Sequence, residues 1–352
     1  MDAKGILAGL AIWFSLAIAA FADDAQDYFN KADAEYRAGN WDGAIADFSK
    51  GIELRPDVPE AYLNRASAKA EKGDFDGAIQ DYGKASDLRK NYPDAFFGRG
   101  RAKLYKGNAK SALVDLDRAI ELRPDFAGAY YDRGSARYSN NDLDGALADY
   151  DKFVKFQPNN PFAYFGRGAA RNAKGELAAA IADTTKAIEL KADFAAAYKN
   201  RGSSYYNQHS FTNALADYRE SFRIDSKDAY VSIFIYLTRA RLNEKEPALM
   251  ELQKSLENRK GVKPGDWPSR IGKFLAGESM EADLFAAAEN PDEVKNQEQH
   301  CEAYFYAGSK RLIDGDKNAA IANFKKCLAT NVKYFAEYQS ATSELGFLER
   351  KN

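Results

Sequence analysis

Few residues in this chain are of the types that carry chemistry. There are two cysteines and two histidines, which are too few for a zinc module, and neither cysteine belongs to a CxxC pair. His209 falls at a predicted turn and His300 at a predicted helix start, with nothing in the sequence to bring them together. No nucleotide loop, metal-ligand cluster or nucleophile elbow is recognisable. We therefore expect a protein that is not an enzyme, with no catalytic residue, cofactor, metal ion or small-molecule substrate.

The cysteines are nevertheless placed where they could meet. Cys301 and Cys327 fall at the start of one predicted helix and late in the next, so an antiparallel hairpin brings them near each other. A disulfide is one interpretation if the protein is exported. Two buried free thiols are the alternative, because a bond requires Cα atoms within about 7 Å.

Charge excludes one class of partner. The 352-residue chain has a formal net charge of −2, and its basic and acidic residues are well mixed along the sequence. Proteins that grip nucleic acid or anionic lipid through charge need a basic cluster. We therefore predict no nucleic-acid partner.

The elements that position these residues are repeats of thirty-four residues. Aromatic residues recur at this period at Tyr28, Tyr62, Phe96, Tyr130, Tyr164 and Tyr198. Alanine recurs without exception at Ala44, Ala78, Ala112, Ala146, Ala180 and Ala214. Within the unit 127–160, the pattern predicts one helix over 127–140 and a second over 143–156, which Pro158 ends. Such a helix pair cannot bury its apolar face alone, so the units must stack.

This spacing of aromatic, small, alanine and proline positions resembles the tetratricopeptide repeat. The resemblance implies an all-α solenoid, a right-handed superhelix of antiparallel helix pairs. Six regular repeats are predicted in residues 23–228, a degenerate repeat and an irregular helical segment in 229–300, and a final repeat with a capping helix in 301–352.

The first twenty-two residues have the pattern of a secretory signal. Lys4 precedes an apolar run, and Ala20, Phe21 and Ala22 form a small-x-small cleavage site before Asp23. We predict a periplasmic or secreted protein that begins at Asp23. The alternative is an uncleaved amino-terminal helix that anchors the chain in the membrane, since a spanning helix needs about 20 apolar residues.

A charge pair also repeats with the units. The basic members are Lys31, Arg65, Arg99, Arg133, Arg167 and Arg201, and the acidic members, sixteen residues further on, are Asp47, Asp81, Asp115, Asp149, Asp183 and Asp217. We predict that each pair bridges the two helices of its hairpin and fixes their register. A basic groove for an acidic peptide is the functional alternative.

The inner face of a tetratricopeptide array is lined by the first helix of each pair. At those positions this chain carries a set of mostly aromatic residues: Phe29, Tyr36, Leu63, Phe97, Leu104, Tyr131, Tyr138, Phe165 and Tyr206. Exposed apolar patches generally mark interaction sites, and aromatic side chains commonly anchor them. We predict a concave groove that binds a peptide or helix of a partner protein. The alternative is that these side chains pack against the next repeat.

The carboxyl half is similar to the NlpI-type tetratricopeptide lipoproteins of the bacterial envelope. The similarity is carried by Trp267–Ser279 (WPSRIGKFLAGES) and by Glu302–Leu348. It implies a periplasm-facing adaptor that forms homodimers, binds a tail-specific protease and presents cell-wall hydrolases to it in peptidoglycan turnover. The chain departs from this family because it lacks a lipidation cysteine and has more regular repeats.

We therefore interpret the chain as an exported, non-enzymatic scaffold or adaptor that binds proteins in a groove, either alone or as a homodimer. A structural component of an envelope secretion or polysaccharide-export assembly is the alternative. If the protein is a component of such an assembly, it should copurify with membrane subunits.

Overall fold

The structure, a computed structural model, describes residues 24–258 and 265–350. This part of the chain contains nineteen helices and no strand, and 79% of these described residues are helical. Consecutive helices pair as in a tetratricopeptide solenoid, which confirms the predicted all-α fold class. The chain divides into two compact units, unit 1 ending at Asn140 and unit 2 beginning at Asn141.

Unit 1 contains seven helices in residues 24–140, the part of it that the structure describes. They are α1 (24–37), α2 (Trp41–Leu54), α3 (Pro59–Glu71), α4 (Phe75–Leu88), α5 (Pro93–Tyr105), α6 (Ala109–Leu122) and α7 (Ala127–Ser139). Odd-numbered helices are the first members of the predicted hairpins, and α3 with α4, and α5 with α6, form the closest pairs.

Unit 2 contains twelve helices in its described residues. The regular ones are α8 (Leu143–Phe156), α9 (Pro161–Ala173), α10 (Leu177–Leu190), α11 (Ala195–Asn207), α12 (Phe211–Ile224), α13 (Ala229–Arg241) and α14 (Lys245–Glu257). After them come α15 (Trp267–Leu275), α16 (Glu281–Ala288), α17 (Glu293–Ile313), α18 (Lys317–Ala329) and α19 (Ala336–Arg350).

Local chemistry sets where these helices turn. Gly39, Gly73 and Gly107 have positive φ between the members of a pair, a conformation that glycine adopts without a steric penalty. Asn141 and His209 take the same conformation, with φ of 65° and 60°. The next helix then begins with a polar cap: Asn40, Asp74 and Asn108 each accept a hydrogen bond from a backbone N–H three residues on.

The alanine of each repeat lies where two helices touch. All six of these alanines are 0% exposed, as the sequence predicts. A larger side chain at this position would push the two helices apart and cost packing energy. The repeated alanine is therefore a packing requirement of the hairpin.

The predicted charge pairs bridge their hairpins. Arg65, Arg99, Arg167 and Arg201 each make two hydrogen bonds to the paired aspartate, at donor–acceptor distances of 2.6–3.0 Å. Lys31 contacts Asp47 at 3.0 Å. These five aspartates are 2–6% exposed, so their charges are neutralised inside the hairpins and do not form a basic groove. Of the sixth pair, Arg133 belongs to unit 1 and Asp149 to unit 2.

The irregular segment has one helix start that differs from the sequence prediction. The sequence Asn290-Pro291-Asp292-Glu293 predicts a cap at Asn290. In the structure α17 begins at Glu293, and the Asp292 side chain accepts from the N–H of Lys295 at 2.9 Å. Asn290 instead accepts from the N–H of Asp292 at 3.0 Å. The asparagine therefore shapes the turn that leads into the helix.

The final helix does more than close one end. Sequence predicts a capping helix over about 335–348, and α19 packs on α17 and α18 as a cap would. It also contacts α11 and α9, two first helices of unit 2.

The predicted signal segment, residues 1–22, lies outside the described residues. Across 24–258 and 265–350, we find no helix whose length and apolar character would suffice to span a bilayer.

Candidate peptide-binding groove

A concave cavity of about 430 Å³ opens on unit 1. Its walls come from four helices: Tyr36 on α1, residues between Leu63 and Glu71 on α3, Phe75 and Tyr82 on α4, and residues between Asp94 and Tyr105 on α5. We call this cavity the unit-1 groove. Its volume lies within the range of about 300–1,000 Å³ that is usual for ligand sites.

The rim of the unit-1 groove presents an aromatic stack to solvent. Tyr105 is 68% exposed, and its ring lies parallel to that of Phe75, with centroids 5.2 Å apart and an interplanar angle of 14°. On the opposite wall, Tyr36 makes an edge contact with Trp41 at 5.0 Å. Fixed rings with free faces provide contact area for a partner without a large entropic loss.

The floor of the groove depends on a glycine. A Cβ at Gly98 would lie 2.4 Å from the Cε1 and Cζ atoms of Tyr82, so only glycine lets the ring of Tyr82 lie against α5. The hydroxyl of Tyr82 is 3.1 Å from the Ser67 hydroxyl. Burial raises the pKa of Tyr82, while the hydrogen bond to Ser67 opposes that rise. Tyr82 therefore stays a neutral phenol.

Charged groups sit at the ends of the aromatic surface. The guanidinium of Arg101 lies 4.5 Å from the ring centroid of Phe97 and donates to Asp132 at 2.8 Å. Burial raises the pKa of Asp132, and the charge and hydrogen bond of Arg101 oppose that shift. Glu71 is exposed on the groove wall. Burial, and secondarily the negative charge of Glu71, raises the pKa of Tyr36.

This arrangement suits binding and offers no reaction centre. The lining combines aromatic and aliphatic side chains with one guanidinium and two carboxylates, Glu71 and Asp94. It contains no cysteine or histidine, and its serine, Ser67, is hydrogen-bonded to Tyr82 and to the carbonyl of Leu63 rather than to a base. Within residues 24–258 and 265–350, no group of three or more metal-ligating residues occurs.

Three of the sequence-predicted groove residues line the unit-1 groove: Tyr36, Leu63 and Phe97. Phe29 differs from that expectation, because it is 7% exposed and its ring fills the space above Gly51 on α2. Leu104 packs against the cluster that contains Ala112 and Leu116, on the second helix of its own hairpin.

The remaining predicted residues lie further along the chain. Tyr131, Tyr138 and Phe165 are half-buried, and Phe165 packs on Phe194 with ring centroids 4.9 Å apart. Tyr206 departs from the expectation of an open groove residue. It is 2% exposed and contacts the rings of Phe211 and Phe234.

Sequence reasoning missed several residues of the groove: Phe75, Tyr82, Gly98, Arg101 and Tyr105. The exposure of Tyr105 could have been predicted from the sequence. It lies at the end of a helix between Lys103 and Lys106, which are expected to face solvent. The position of Arg101 could not, since the repeat pattern does not specify its partner, Asp132, on the next first helix.

The two cysteines lie together in the α17–α18 hairpin of unit 2. Their sulfur atoms are 3.4 Å apart, both residues are fully buried, and both are free thiols in this structure. The contact with Cys301, followed by burial, raises the pKa of Cys327. The geometry brings the thiols within contact, and the disulfide stays a prediction.

Comparison with known proteins matches part of the repeat array to a family. A family model described as tetratricopeptide repeat matches residues 29–96 and 97–161. A tetratricopeptide repeat protein from Parabacteroides merdae is similar in structure, with a TM-score of 0.58 and 17% identity, over 72% of this chain and 98% of that one.

Two other crystal structures match shorter parts of the chain. MamA is 27% identical over 48% of this chain and 92% of its own, with a TM-score of 0.45. YrrB, described as a tetratricopeptide protein with an unusual peptide-binding site, is 22% identical over 52% of this chain and 95% of its own, with a TM-score of 0.45. Residues 29–161 therefore match the tetratricopeptide repeat family, and the paired helices of the described residues have the fold that is typical of a tetratricopeptide solenoid.

Proposed function

We propose that the unit-1 groove binds a segment of another protein, and that the chain works as a scaffold. The observation that carries this proposal is the exposed Tyr105–Phe75 stack at the edge of an aromatic cavity. Tyr105 is 68% exposed and lies beside other apolar side chains. On soluble proteins, an exposed apolar patch of this kind generally marks an interaction site.

The chemistry of the groove indicates the kind of segment that it takes. Aromatic and aliphatic walls favour one or two apolar side chains, and the exposed carboxylate of Glu71 favours a neighbouring cation. Arg101 is engaged by Asp132, so it contributes a guanidinium face more than a free charge. An apolar peptide with a flanking lysine or arginine fits these features.

Tyr105→Ala should lower the affinity of such peptides at least about tenfold, because the ring offers most of its surface to a ligand. The measurement is selection of a random phage-displayed peptide library against the full-length protein, followed by titration of the enriched peptides. Val114→Ala is the control, since Val114 is 70% exposed on α6 of the same unit and lies outside the groove lining.

Val114→Ala should leave the affinities unchanged. Equal affinity of the peptides for wild type and Tyr105→Ala would contradict the groove proposal. So would a library that yields no specific binder to the wild-type protein.

We also propose that the scaffold works outside the cytoplasm. The signal-like pattern of residues 1–22 and the NlpI-like carboxyl segments support this proposal. By the same resemblance, its clients are cell-wall hydrolases delivered to a tail-specific protease, with self-association into a homodimer. None of these partners follows from the geometry of the unit-1 groove alone.

Export has a direct test. In a Gram-negative host, the protein should fractionate with the periplasm, and amino-terminal sequencing should begin at Asp23. Protein in the membrane fraction that retains Met1 would favour the uncleaved anchor instead. An intact chain in the cytosolic fraction would contradict export in either form.

A further inference from the structure

In unit 2, residues of α11 that hold repeat positions found in the unit-1 groove are covered by α19. We call the surface of Tyr206, Asn207, His209 and Arg241 beneath α19 the unit-2 groove. Asn207 lies three periods of thirty-four residues after Tyr105, and Tyr206 lies five periods after Tyr36. Tyr36 and Tyr105 line the open groove of unit 1. Their counterparts on α11 are 2–5% exposed. Helix α19 lies against α11, and the rings of Phe211 and Phe234 also contact Tyr206.

Polar contacts hold α19 in this position. Ser340 donates to the side-chain oxygen of Asn207 at 2.7 Å, and the Ser343 hydroxyl donates to the backbone carbonyl of the same residue. Arg241 forms an ion pair with Glu344, which is 1% exposed. Phe347 stacks on the imidazole of His209, with ring centroids 4.3 Å apart.

The buried face of α19 is more polar than the other packing surfaces of unit 2. Its buried residues are Glu337, Ser340, Ala341, Glu344 and Leu348, of which three are polar or acidic. Ala341 and Leu348 join the apolar core of unit 2, which contains rings and aliphatic chains such as Phe234, Leu237 and Phe305. The contacts of Glu337, Ser340 and Glu344 are polar instead. When two polar surfaces separate, water replaces their hydrogen bonds and ion pairs. Separating a polar contact therefore costs much less free energy than separating an apolar contact of equal area.

The burial of two carboxylates, those of Glu337 and Glu344, also weakens the packing of α19 against the rest of unit 2. Burial raises the pKa of Glu344 above its ordinary value, with Arg241 opposing that shift. Glu337 has a raised pKa for the same reason, and the Tyr306 hydroxyl, 2.8 Å away, opposes the rise. Each carboxylate therefore loses hydration when α19 packs against the rest of unit 2, and regains it when α19 dissociates.

We propose that α19 is a displaceable internal ligand of the unit-2 groove, and that the vacated groove accepts a partner helix carrying the same face. That face has a carboxylate, a small hydroxyl residue, a small apolar residue and a second carboxylate, at the spacing of Glu337, Ser340, Ala341 and Glu344. The arginine of the groove selects the second carboxylate. This inference concerns unit 2 and is independent of the proposed function of the unit-1 groove.

A synthetic peptide tests the proposal in the full-length protein. The probe is a fluorescein-labelled peptide of residues 334–350. In wild type the tethered α19 competes at high effective concentration, so the peptide should bind weakly. Glu344→Gln weakens the internal ion pair while leaving Arg241 to receive the carboxylate of the peptide. We expect this variant to bind the peptide at least about tenfold more tightly than wild type does.

Glu349→Gln is the matched control. The substitution is the same, but the side chain of Glu349 is 52% exposed and pairs with Lys325 at 3.3 Å on the surface. This variant should bind the peptide as weakly as wild type. A peptide that itself carries Glu344→Lys should bind none of the three proteins, because it would place a cation against Arg241.

Hydrogen exchange supplies a second measurement, and Ser343→Ala a second variant that removes only one hydrogen bond. In both Glu344→Gln and Ser343→Ala, the amides of α19 should exchange faster than those of α17, while α17 keeps its wild-type protection. Exchange of α19 and α17 at one common rate in both variants would overturn the proposal. Peptide affinity that does not rise in folded Glu344→Gln protein would overturn it as well.

Discussion

Phe234→Ala should lower the free energy of unfolding of unit 2 by about 4 kcal/mol, the usual range for losing a buried ring being about 3–5 kcal/mol. Phe234 is 3% exposed, and its ring stacks on that of Tyr218 with centroids 5.3 Å apart. It also contacts Tyr206, Phe305 and Tyr306 at 6.2–6.5 Å. Alanine would leave a cavity between α12, α13 and α17 that these large side chains cannot fill.

Urea denaturation followed by circular dichroism measures the loss, and exchange of the α13 amides assigns it to unit 2. Phe162→Ala is the control in the same unit, because its ring is 43% exposed and has an edge contact with Phe194 at 5.1 Å. It should cost about 1 kcal/mol or less. Equal losses for the two variants would mean that α13 is not the centre of the packing of unit 2.

The sequence predicted the hairpins well because their determinants are local and repeat. At the turn position, where other repeats carry glycine, Asn141 and His209 also have positive φ. The alanine of each second helix is buried in all six repeats. Each determinant acts within one unit of thirty-four residues, so the sequence shows it six times. The five Arg/Lys–Asp pairs described within single units follow the same logic.

Which aromatic residues face the groove could not be predicted from the same pattern. Phe29 and Phe97 hold one position two periods apart, yet Phe29 is buried and Phe97 lines the cavity. The cause lies on the second helix. Gly51 leaves room for the ring of Phe29, since a Cβ there would lie 2.3 Å from it. The equivalent residue beside Phe97 is Ala119, whose Cβ keeps the ring from sinking into the same space.

The position of α19 was beyond sequence reasoning for a different reason. Its contact with α11 joins residues 133 positions apart, Asn207 and Ser340. The residues involved are serine, asparagine, arginine and glutamate, which have no apolar period to reveal a buried face. The sequence therefore predicted a helix at this place, and missed that it contacts α9 and α11, two first helices of unit 2. Its role as a cap stays a prediction.

The second large effect should come from the charge pairs inside unit 2. Arg201→Met should lower the free energy of unfolding by about 3 kcal/mol, because it leaves the carboxylate of Asp217 buried without its cation. Asp217 is 6% exposed, and it accepts from Arg201 at 2.7 and 2.8 Å. Among the described residues, no second cation forms an ion pair with Asp217.

Arg167→Met is the matched comparison and should cost only about half as much. It removes the equivalent contacts to Asp183, at 2.7 and 2.9 Å, but Arg171 remains 2.6 Å from the same carboxylate. Both arginines are similarly enclosed, with side chains 17–18% exposed, so solvent screening does not separate them. Each arginine also makes one further contact, Arg167 with the exposed Asp151 at 2.9 Å and Arg201 with the Thr185 hydroxyl at 3.1 Å. We attribute most of the difference between the two variants to the second cation, because an exposed ion pair contributes little.

Replacing both members of one pair distinguishes the effect of the pair on the register of the hairpin from its effect on the free energy of unfolding. Because a buried ion pair gains little net energy over apolar residues of similar volume, Arg201→Met combined with Asp217→Leu should recover most of the stability that Arg201→Met loses. Urea denaturation of the single and double variants measures this recovery. A double variant as unstable as the sum of its single substitutions would mean that the coupling energy between Arg201 and Asp217 is zero, which would contradict a stabilising pair. Full recovery with unchanged α11–α12 packing would show that the alanine and aromatic contacts set the register without the charges.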